Sequence, residues 1–198
     1  SQCGSGKISK RGIRRGKQRQ RCNDCGNWDS FKLFDNKGRI KVLLFDIETT
    51  PMECFVWQLN SKSNNYINHG NIIEDWNILS WSAKWLYDSE VISDIQTPKE
   101  AKKRDDKRIC ESIWRLLDEA DIIIAHNGDR FDIKKLNTRF FMNGLNPPSP
   151  YQSIDTLRVA KRSFAFSSNR LDYLGQIMTN KGKLETNFQL WKDCLKGD

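Results

Sequence analysis

The sequence has no apolar run that approaches the roughly 18 residues of a membrane-spanning helix. It also lacks the charged region followed by an apolar region that marks a secretory signal. These two absences argue against a membrane protein and a secreted one. We therefore expect a cytoplasmic protein with no membrane partner.

Histidine is scarce, with 2 residues among the 198, and the first of them is His69. Of the 6 cysteines, Cys54, Cys110 and Cys194 are scattered through a chain long enough to build a stable core without disulfides. We expect these three to be thiols. The length suits one domain of ordinary size with a small appendage.

Positive charge is concentrated at one end of the chain. Residues 1–41 hold 12 Lys and Arg against 3 Asp and Glu, a net charge of +9. Residues 42–198 hold 21 against 22, a net charge of −1. The basic segment predicts a polyanion partner, with nucleic acid ahead of an anionic membrane surface, while the remainder is typical of an ordinary soluble domain.

Three cysteines in the basic segment have the spacing of metal ligands. Cys22 and Cys25 form a CxxC pair, and Cys3 lies upstream across a hairpin-like stretch. A tetrahedral structural zinc site takes four ligands, so we expect a fourth cysteine immediately before Ser1 and a chain that begins inside the motif. Without metal, so short a segment would be disordered. The alternative is a disordered basic tail with incidental cysteines.

Both alternatives give the basic side chains the same role, which is to contact phosphates without reading base sequence. These side chains are Arg11, Arg14, Arg15, Lys17, Arg19 and Arg21. The pattern CGSxxxxKRGxRRGKQRxRCxxCG resembles the zinc ribbons of transposase-related and phage-encoded proteins. It indicates a ribbon over residues 1–30, holding one structural Zn²⁺ through Cys3, Cys22 and Cys25, and then a linker over residues 31–40.

The stretch KVLLFDIETTP, residues 41–51, predicts a buried strand that ends in acid. Because strand side chains alternate between faces, Asp46 and Glu48 project together while Ile47 turns into the core. Two carboxylates on one face of a buried strand repel each other unless a cation lies between them. The spacing predicts a metal site, and the alternative is a strand with a solvated acidic end.

The middle of the chain predicts structural elements. Residues 78–87 alternate as a strand with Trp81 and Trp85 facing the core, and residues 91–95 pair with it, so that the three strands form an antiparallel meander. A single helix is predicted from Pro98 through Leu117, with its charges facing solvent and no catalytic role.

A second buried strand, residues 122–125, also runs into polar residues. Asn127 and Gly128 predict a turn, and the helix beyond it is expected to place Phe131, Leu136 and Phe140 on its inner side and to stop near Gly144. Asp132 then lies in the first turn of this helix, within reach of a neighbouring strand end. The alternative is a carboxylate that stabilises the helix N-terminus, which Asp129 could do equally well.

The DxE at the end of one core strand, followed by N-x-x-x-F-D after another, resembles the first two motifs of the DEDD exonucleases, closest to those of family-B DNA polymerases and phage-encoded relatives. The resemblance implies a ribonuclease H-like α/β fold over residues 41–198, in which a mixed sheet is flanked by helices. It identifies Asp46, Glu48 and Asp132 as catalytic metal ligands, and Asn127 and Phe131 as residues that shape the site.

The same resemblance implies a function and its partners. The expected activity is 3′–5′ exonucleolytic hydrolysis of single-stranded nucleic acid by two Mg²⁺ or Mn²⁺ ions. The expected partners are DNA ahead of RNA, and replication or mobile-element machinery in a bacterial or phage-infected cell. The alternatives are an inactive nucleic-acid-binding protein on a nuclease scaffold and a ribonuclease H-like endonuclease.

The fourth carboxylate of the family belongs to a late helix, in a Tyr-x-x-x-Asp motif. Tyr151 and Asp155 fit that spacing, but they follow a proline-rich run that predicts a loop leading into a strand. Asp155-Thr156-Leu157 instead resembles the strand that lies between the second and third motifs, which makes Asp155 a supporting residue. We therefore expect the last helix, with its carboxylate, beyond Asp198.

Overall fold

The computed structural model describes residues 7–14, 17–32, 40–57, 67–180, 182, 184 and 186–198. The strands within these residues are β1 (Ile8–Arg14), β2 (Lys17–Cys22), β3 (Trp28–Lys32), β4 (Val42–Thr49), β5 (Glu53–Cys54), β6 (Ile72–Glu74), β7 (Ile78–Trp85), β8 (Ile92–Ile95), β9 (Ile122–Ala125) and β10 (Gln152–Asp155). The helices are α1 (Pro98–Lys103), α2 (Lys107–Glu119), α3 (Asp132–Met142), α4 (Thr156–Ser163), α5 (Leu171–Thr179) and α6 (Phe188–Lys196). No helix among the described residues is both long and apolar enough to cross a bilayer.

The largest sheet has five strands in the order β10-β9-β4-β7-β8. β4, β9 and β10 run parallel, whereas β7 is antiparallel to both β4 and β8. The predicted mixed sheet flanked by helices is therefore confirmed, and so is the meander of β4, β7 and β8. Because β4, β9 and β10 are parallel, their carboxyl ends meet at one edge of the sheet.

The core forms where the alternating faces of the strands meet the helices. Strand β4 buries every second residue, and Trp81 on β7 is buried with them, as the sequence predicted. Helices α2 and α3 contribute the residues that recur at helical spacing. The largest buried apolar side chains of the core include Leu43, Phe45, Ile47, Ile78, Trp81, Ile109, Ile113, Leu117, Ile123, Leu136 and Phe140.

The prediction of one helix from Pro98 to Leu117 is wrong, because the segment forms two helices. Helix α1 starts with a capping box between Thr97 and Glu100 and ends at Arg104, whose φ of 51° is left-handed and breaks the helix. The prediction that the charges face solvent is wrong for Asp106, which is 1% exposed. Its burial is explained by partners far along the sequence, described below.

Helix α3 begins at Asp132 and ends before Gly144, whose φ is 73°, as the sequence predicted. The prediction that Phe131 faces the core is wrong, since this ring is 40% exposed. Phe131 precedes the first helical residue, so it does not follow the periodicity that buries Leu136 and Phe140. The predicted strand at Asp155 is present as β10, whereas helix α6 has no counterpart in the prediction.

The basic segment forms a separate antiparallel sheet in the order β1-β2-β3. The expected hairpin is β1 and β2, and β3 extends to Lys32, beyond the predicted end of the ribbon at residue 30. Cys3 and Arg15 lie outside the described residues, as do residues 33–39 of the predicted linker.

Candidate active site

The acidic end of β4 lies at the edge where the parallel strands end. Asp46 and Glu48 pair in register with Ser82 and Ser80 of β7, and Asp46 is exposed while Ile47 is 3% exposed. The strand's alternation thus turns the two acids away from the core, as their spacing predicted. The register shifts between Glu48 and Thr49, where the strand ends.

Asp132 reaches this strand from α3. Its carboxylate Oδ1 accepts a hydrogen bond of 3.2 Å from the backbone N–H of Ile47, and the residue is 2% exposed. Since Ile47 lies between Asp46 and Glu48, the bond fixes the Asp132 carboxylate beside the two other acids. Two carboxylates of β4 and one of α3, far apart in the sequence, therefore lie close enough for the charges of Asp46 and Glu48 to act on Asp132.

The crowding of negative charge changes the titration of Asp132. Burial raises the pKa of its carboxyl to about 6, with the charge of Asp46 and, more weakly, that of Glu48 acting in the same direction. The hydrogen bond from Ile47 acts in the opposite direction. A carboxyl held in a site that disfavours its own charge is typical of functional centres.

The turn between β9 and α3 is what brings Asp132 to the strand. Asn127 has a left-handed φ of 66°, and a Cβ on Gly128 would lie 2.5 Å from the Cβ of Ala125. Only glycine fits at position 128 without displacing the strand. The carbonyl of Asn127 accepts the Phe131 N–H, and that of Gly128 accepts the Ile133 N–H, so the turn leads directly into the helix.

Asp155 braces this turn from the neighbouring strand. It is 5% exposed, and its Oδ1 accepts hydrogen bonds of 2.9 Å from the N–H groups of Asn127 and Leu157. It therefore caps α4 and holds the β9–α3 turn at the same time. Strand β9 lies between β10 and β4, so Asp155 is two strand spacings, about 10 Å, from the acidic end of β4.

Two residues beside the site had not been singled out in the sequence. The ammonium of Lys135 lies 3.5 Å from the ring centroid of Trp76 and 5.7 Å from that of Phe131. Burial lowers the pKa of Lys135, while Asp75 acts in the opposite direction. The spacing of Lys135 four residues after Phe131 is a signal for this contact, whereas nothing in the sequence connects either residue to Trp76.

A buried ion pair fastens α3 to the rest of the core. The carboxylate of Asp106 accepts hydrogen bonds from Arg139 Nε at 2.6 Å, Arg139 Nη2 at 2.7 Å, Asn143 Nδ2 at 2.8 Å and the Ile78 N–H at 2.9 Å. These contacts join α2, α3 and β7. They fix the helix that carries Asp132, and sequence reasoning missed them.

The three acids offer hard oxygen ligands, which suit Mg²⁺ or Mn²⁺. Among the described residues, no group of three or more His, Cys, Asp or Glu side chains has the spacing of a metal centre. The electrostatics still fit a cation, because Asp132 is buried against two further carboxylates and its pKa is raised to about 6. A divalent cation would supply the positive charge that this cluster needs.

In the N-terminal sheet, Cys22 is the last residue of β2 and Cys25 lies in the turn that leads to β3. Cys22 is 3% exposed and Cys25 is exposed, and the Gly26 N–H donates to the Cys22 carbonyl at 3.0 Å. The guanidinium of Arg19 lies 4.4 Å from the Trp28 ring centroid, and Arg21 donates to the Gly26 carbonyl. The backbones of Arg11, Arg14 and Lys17 belong to β1 and β2.

Comparison with known proteins identifies a family and a structural likeness. The family model described as the RNase H superfamily matches residues 82–185. No curated protein matches the chain. Among solved structures, the family B DNA polymerase from the hyperthermophilic archaeon Pyrobaculum calidifontis is similar, with a TM-score of 0.51 and 15% identity over 72% of this chain. The chain corresponds to 18% of that polymerase, and at this identity the likeness shows the fold alone.

Proposed function

Because the family model spans about half of the chain, the protein belongs to the RNase H superfamily, and we propose that it is a nuclease that removes nucleotides from the 3′ end of a single strand. The fold and the superfamily support phosphodiester hydrolysis in general. The 3′–5′ direction rests on the resemblance of the DxE and N-x-x-x-F-D motifs to those of DEDD exonucleases.

One observation carries the proposal, and it is the convergence of three carboxylates. Asp46 and Glu48 flank Ile47, and the Ile47 N–H binds Asp132. A solvated acidic strand end would not need a third acid buried against it. The family match begins at residue 82, so β4 with its two acids adds support that is independent of that match.

Asp46, Glu48 and Asp132 would hold two Mg²⁺ or Mn²⁺ ions. Such ions, when bound, neutralise the charge of the phosphodiester and favour deprotonation of the attacking water. The chain itself supplies the positioning. Ile47 fixes the Asp132 carboxylate through its backbone, and Asp155 holds the turn that starts α3 through the backbone N–H of Asn127. Phe131 directly precedes Asp132 in the chain, and its exposed ring would contact the terminal nucleotide.

The N-terminal sheet is the second part of the proposal. Cys3, Cys22 and Cys25 would hold one structural Zn²⁺, for which thiolates are suitable ligands. The basic side chains of this segment would bind phosphates and hold the strand, with DNA as the first choice. The side chains concerned are Arg11, Arg14, Arg15, Lys17, Arg19 and Arg21.

The test is hydrolysis of a 5′-labelled single strand in the presence of Mg²⁺ or Mn²⁺. We expect products that shorten stepwise from the 3′ end, and we expect Asp46→Ala to reduce the rate on the order of 100-fold or more, the scale of removing one electrostatic group from a catalytic site. Internal cuts would instead indicate an endonuclease. The matched control is Asp88→Ala, an exposed acid beyond the end of β7, which should cleave at the wild-type rate.

A second candidate is a protein that binds nucleic acid without cleaving it. The role of Asp155 favours this candidate. Asp155 caps α4 and braces the β9–α3 turn, so it does not serve as a fourth carboxylate beside the three acids. Retarded migration of the strand with no cleavage in either metal would support this candidate. An Asp46→Ala protein that cleaves at the wild-type rate would show that the carboxylate site is not responsible for hydrolysis, whether exonucleolytic or endonucleolytic.

A further inference from the structure

A groove of about 520 Å³ lies between the edge strand β10 and helix α4. Strand β10 is the outermost strand of the five-stranded sheet, next to β9. The groove therefore borders the same sheet that carries Asp46 and Glu48 on β4. Its lining is formed by Ser153, Ile154, Asp155, Arg158, Val159, Lys161 and Arg162.

The wall contributed by α4 is strongly basic. Arg158, Lys161 and Arg162 are spaced by three and four residues, which places them on one face of the helix, and all three are exposed. The segment 156–170 contains four basic residues and no acidic one, although residues 42–198 as a whole carry a net charge of −1. The segment that flanks this groove therefore has a net charge of +4.

Apolar side chains on both walls make the groove more than a site for a simple anion. Ile154 on β10 is 40% exposed and Val159 on α4 is 38% exposed, so apolar surface lies beside the cations. Just past the end of α4, the rings of Phe164 and Phe166 stack with centroids 5.0 Å apart, and Phe164 is 56% exposed. Basic grooves with neighbouring aromatic rings are typical of surfaces that bind single-stranded nucleic acid.

The groove is connected to the acidic site through the β9–α3 turn. Asp129, three residues before Asp132, accepts hydrogen bonds from Arg158 at 2.8 Å and from Ser153. Asp155, which lines the groove, binds the N–H of Asn127 in the same turn. The turn that positions Asp132 is thus joined to the groove by Asp129, which belongs to the turn, and by Asp155, which lines the groove.

We propose that this groove, defined by β10 and the basic face of α4, binds the sugar-phosphate backbone of the strand whose end lies at the three acids. The proposal rests on the nuclease function and assigns it a substrate-binding surface in addition to the N-terminal sheet. Lys161 and Arg162 contact phosphates, and Ile154 and Val159 contact the sugars or bases between them.

The test is the double variant Lys161→Gln/Arg162→Gln, with binding of a fluorescent single-stranded oligonucleotide measured in EDTA over a range of salt concentrations. Loss of two phosphate contacts should reduce the salt slope of log K by roughly 1.4 and the affinity by roughly 10- to 30-fold at 0.1 M salt. The matched control is Lys99→Gln/Lys107→Gln, two exposed lysines of α1 and α2, which should keep the wild-type slope.

Measuring hydrolysis in parallel separates this proposal from the nuclease function. If the double variant binds the oligonucleotide like wild type, the proposal that the groove binds the strand is wrong, whether or not the strand is cleaved. Weakened binding in a protein that cleaves nothing supports the groove and removes the nuclease function. Weakened binding of poly-L-glutamate, with unchanged binding of the oligonucleotide, overturns it in favour of an acidic protein partner.

Phe164→Ala tests the preference for a single strand with exposed bases. Loss of one stacking contact should lower the affinity for an ordinary oligonucleotide by about fivefold or more, with no change for an abasic strand of the same length. Equal losses for both strands would overturn the stacking contact.

Discussion

Two buried aspartates, Asp106 and Asp132, occupy similar places and have opposite surroundings. Each lies at the N-terminal end of a helix, Asp106 before α2 and Asp132 at the first residue of α3, and they are 1% and 2% exposed. Asp106 accepts four hydrogen bonds, two of them from the guanidinium of Arg139. Asp132 accepts the Ile47 N–H and faces Asp46 and Glu48.

The difference separates a structural acid from a functional one. A buried carboxylate with a bidentate arginine is stabilised in its charged form, and removal of one partner leaves the other uncompensated. A buried carboxylate that faces other carboxylates gains nothing from its charge in the folded protein alone. A bound cation would compensate the charge of such a carboxylate. Burial by itself does not distinguish Asp106 from Asp132, because both are buried.

The largest effect is expected where the buried charge is paired. Asp106→Ala should lower the free energy of unfolding by about 3–5 kcal/mol, because it leaves the largely buried guanidinium of Arg139 without its counter-charge. Urea denaturation followed by circular dichroism measures this loss. The control is Asp105→Ala at the exposed neighbouring residue, whose carboxylate accepts a hydrogen bond from the Lys107 N–H that is worth about 1 kcal/mol.

A loss in the Asp106 variant no larger than in the Asp105 variant would mean that the ion pair does not fasten α3. The pair can also be replaced as a unit. Asp106→Leu combined with Arg139→Met should recover part of the stability that Asp106→Ala loses, since apolar residues of similar volume often substitute for a buried ion pair. The recovery is partial because the Ile78 N–H and the Asn143 amide remain without their acceptor.

The second effect has the opposite sign. Asp132→Asn should raise the free energy of unfolding of the metal-free protein at pH 7 by at most about 3 kcal/mol, because it removes a buried negative charge and keeps an acceptor for the Ile47 N–H. The same change should abolish hydrolysis. A variant less stable than wild type at pH 7 would contradict the contrast with Asp106.

The pH dependence of the unfolding free energy shows directly whether the charge on Asp132 destabilises the folded protein. The pKa of Asp132 is raised from its ordinary value of 3.8 to about 6 in the folded protein, chiefly by burial, so the folded state binds one more proton than the unfolded state between those two values. Wild-type stability should therefore fall as the pH rises from about 4 to about 6, and Asp132→Asn should lack this slope. Mg²⁺ or Mn²⁺ should raise the melting temperature of wild type at pH 7 and leave that of the variant unchanged.

The sequence was sufficient to predict those parts of the fold and site that depend on local periodicity. Alternation identified β4 and β7 and placed Asp46 and Glu48 on one face, and the Asn127-Gly128 turn set the start of α3 at Asp132. These features are decided by neighbouring residues, so a single sequence contains them.

The features that could not be predicted depend on contacts between distant residues. Asp106 and Arg139 are 33 residues apart, and the guanidinium of Arg104, the residue that ends α1, donates to the carbonyls of Pro51 and Asp75. A charged run gives no sign that one of its members is buried. Periodicity also misplaced Phe131, because a residue just before a helix need not share the face of the helix.

The smallest effect is expected at a third acid, Glu100, where the pairing is partly exposed. Hydrogen bonds from Arg108 first, and then from the Thr97 N–H, lower the pKa of Glu100 from 4.5 to about 2. Arg108→Gln should cost at most about 1 kcal/mol and the cost should shrink with added salt, because solvent screens the pair. The stability from this lowered pKa is present above pH 4.5 and is lost as the pH falls toward 2, the reverse of the slope from Asp132. A salt-independent loss of several kcal/mol would show that solvent exposure does not weaken the ion pair of Glu100. The expected difference in stability between the Asp106 and Glu100 ion pairs would then have no electrostatic basis.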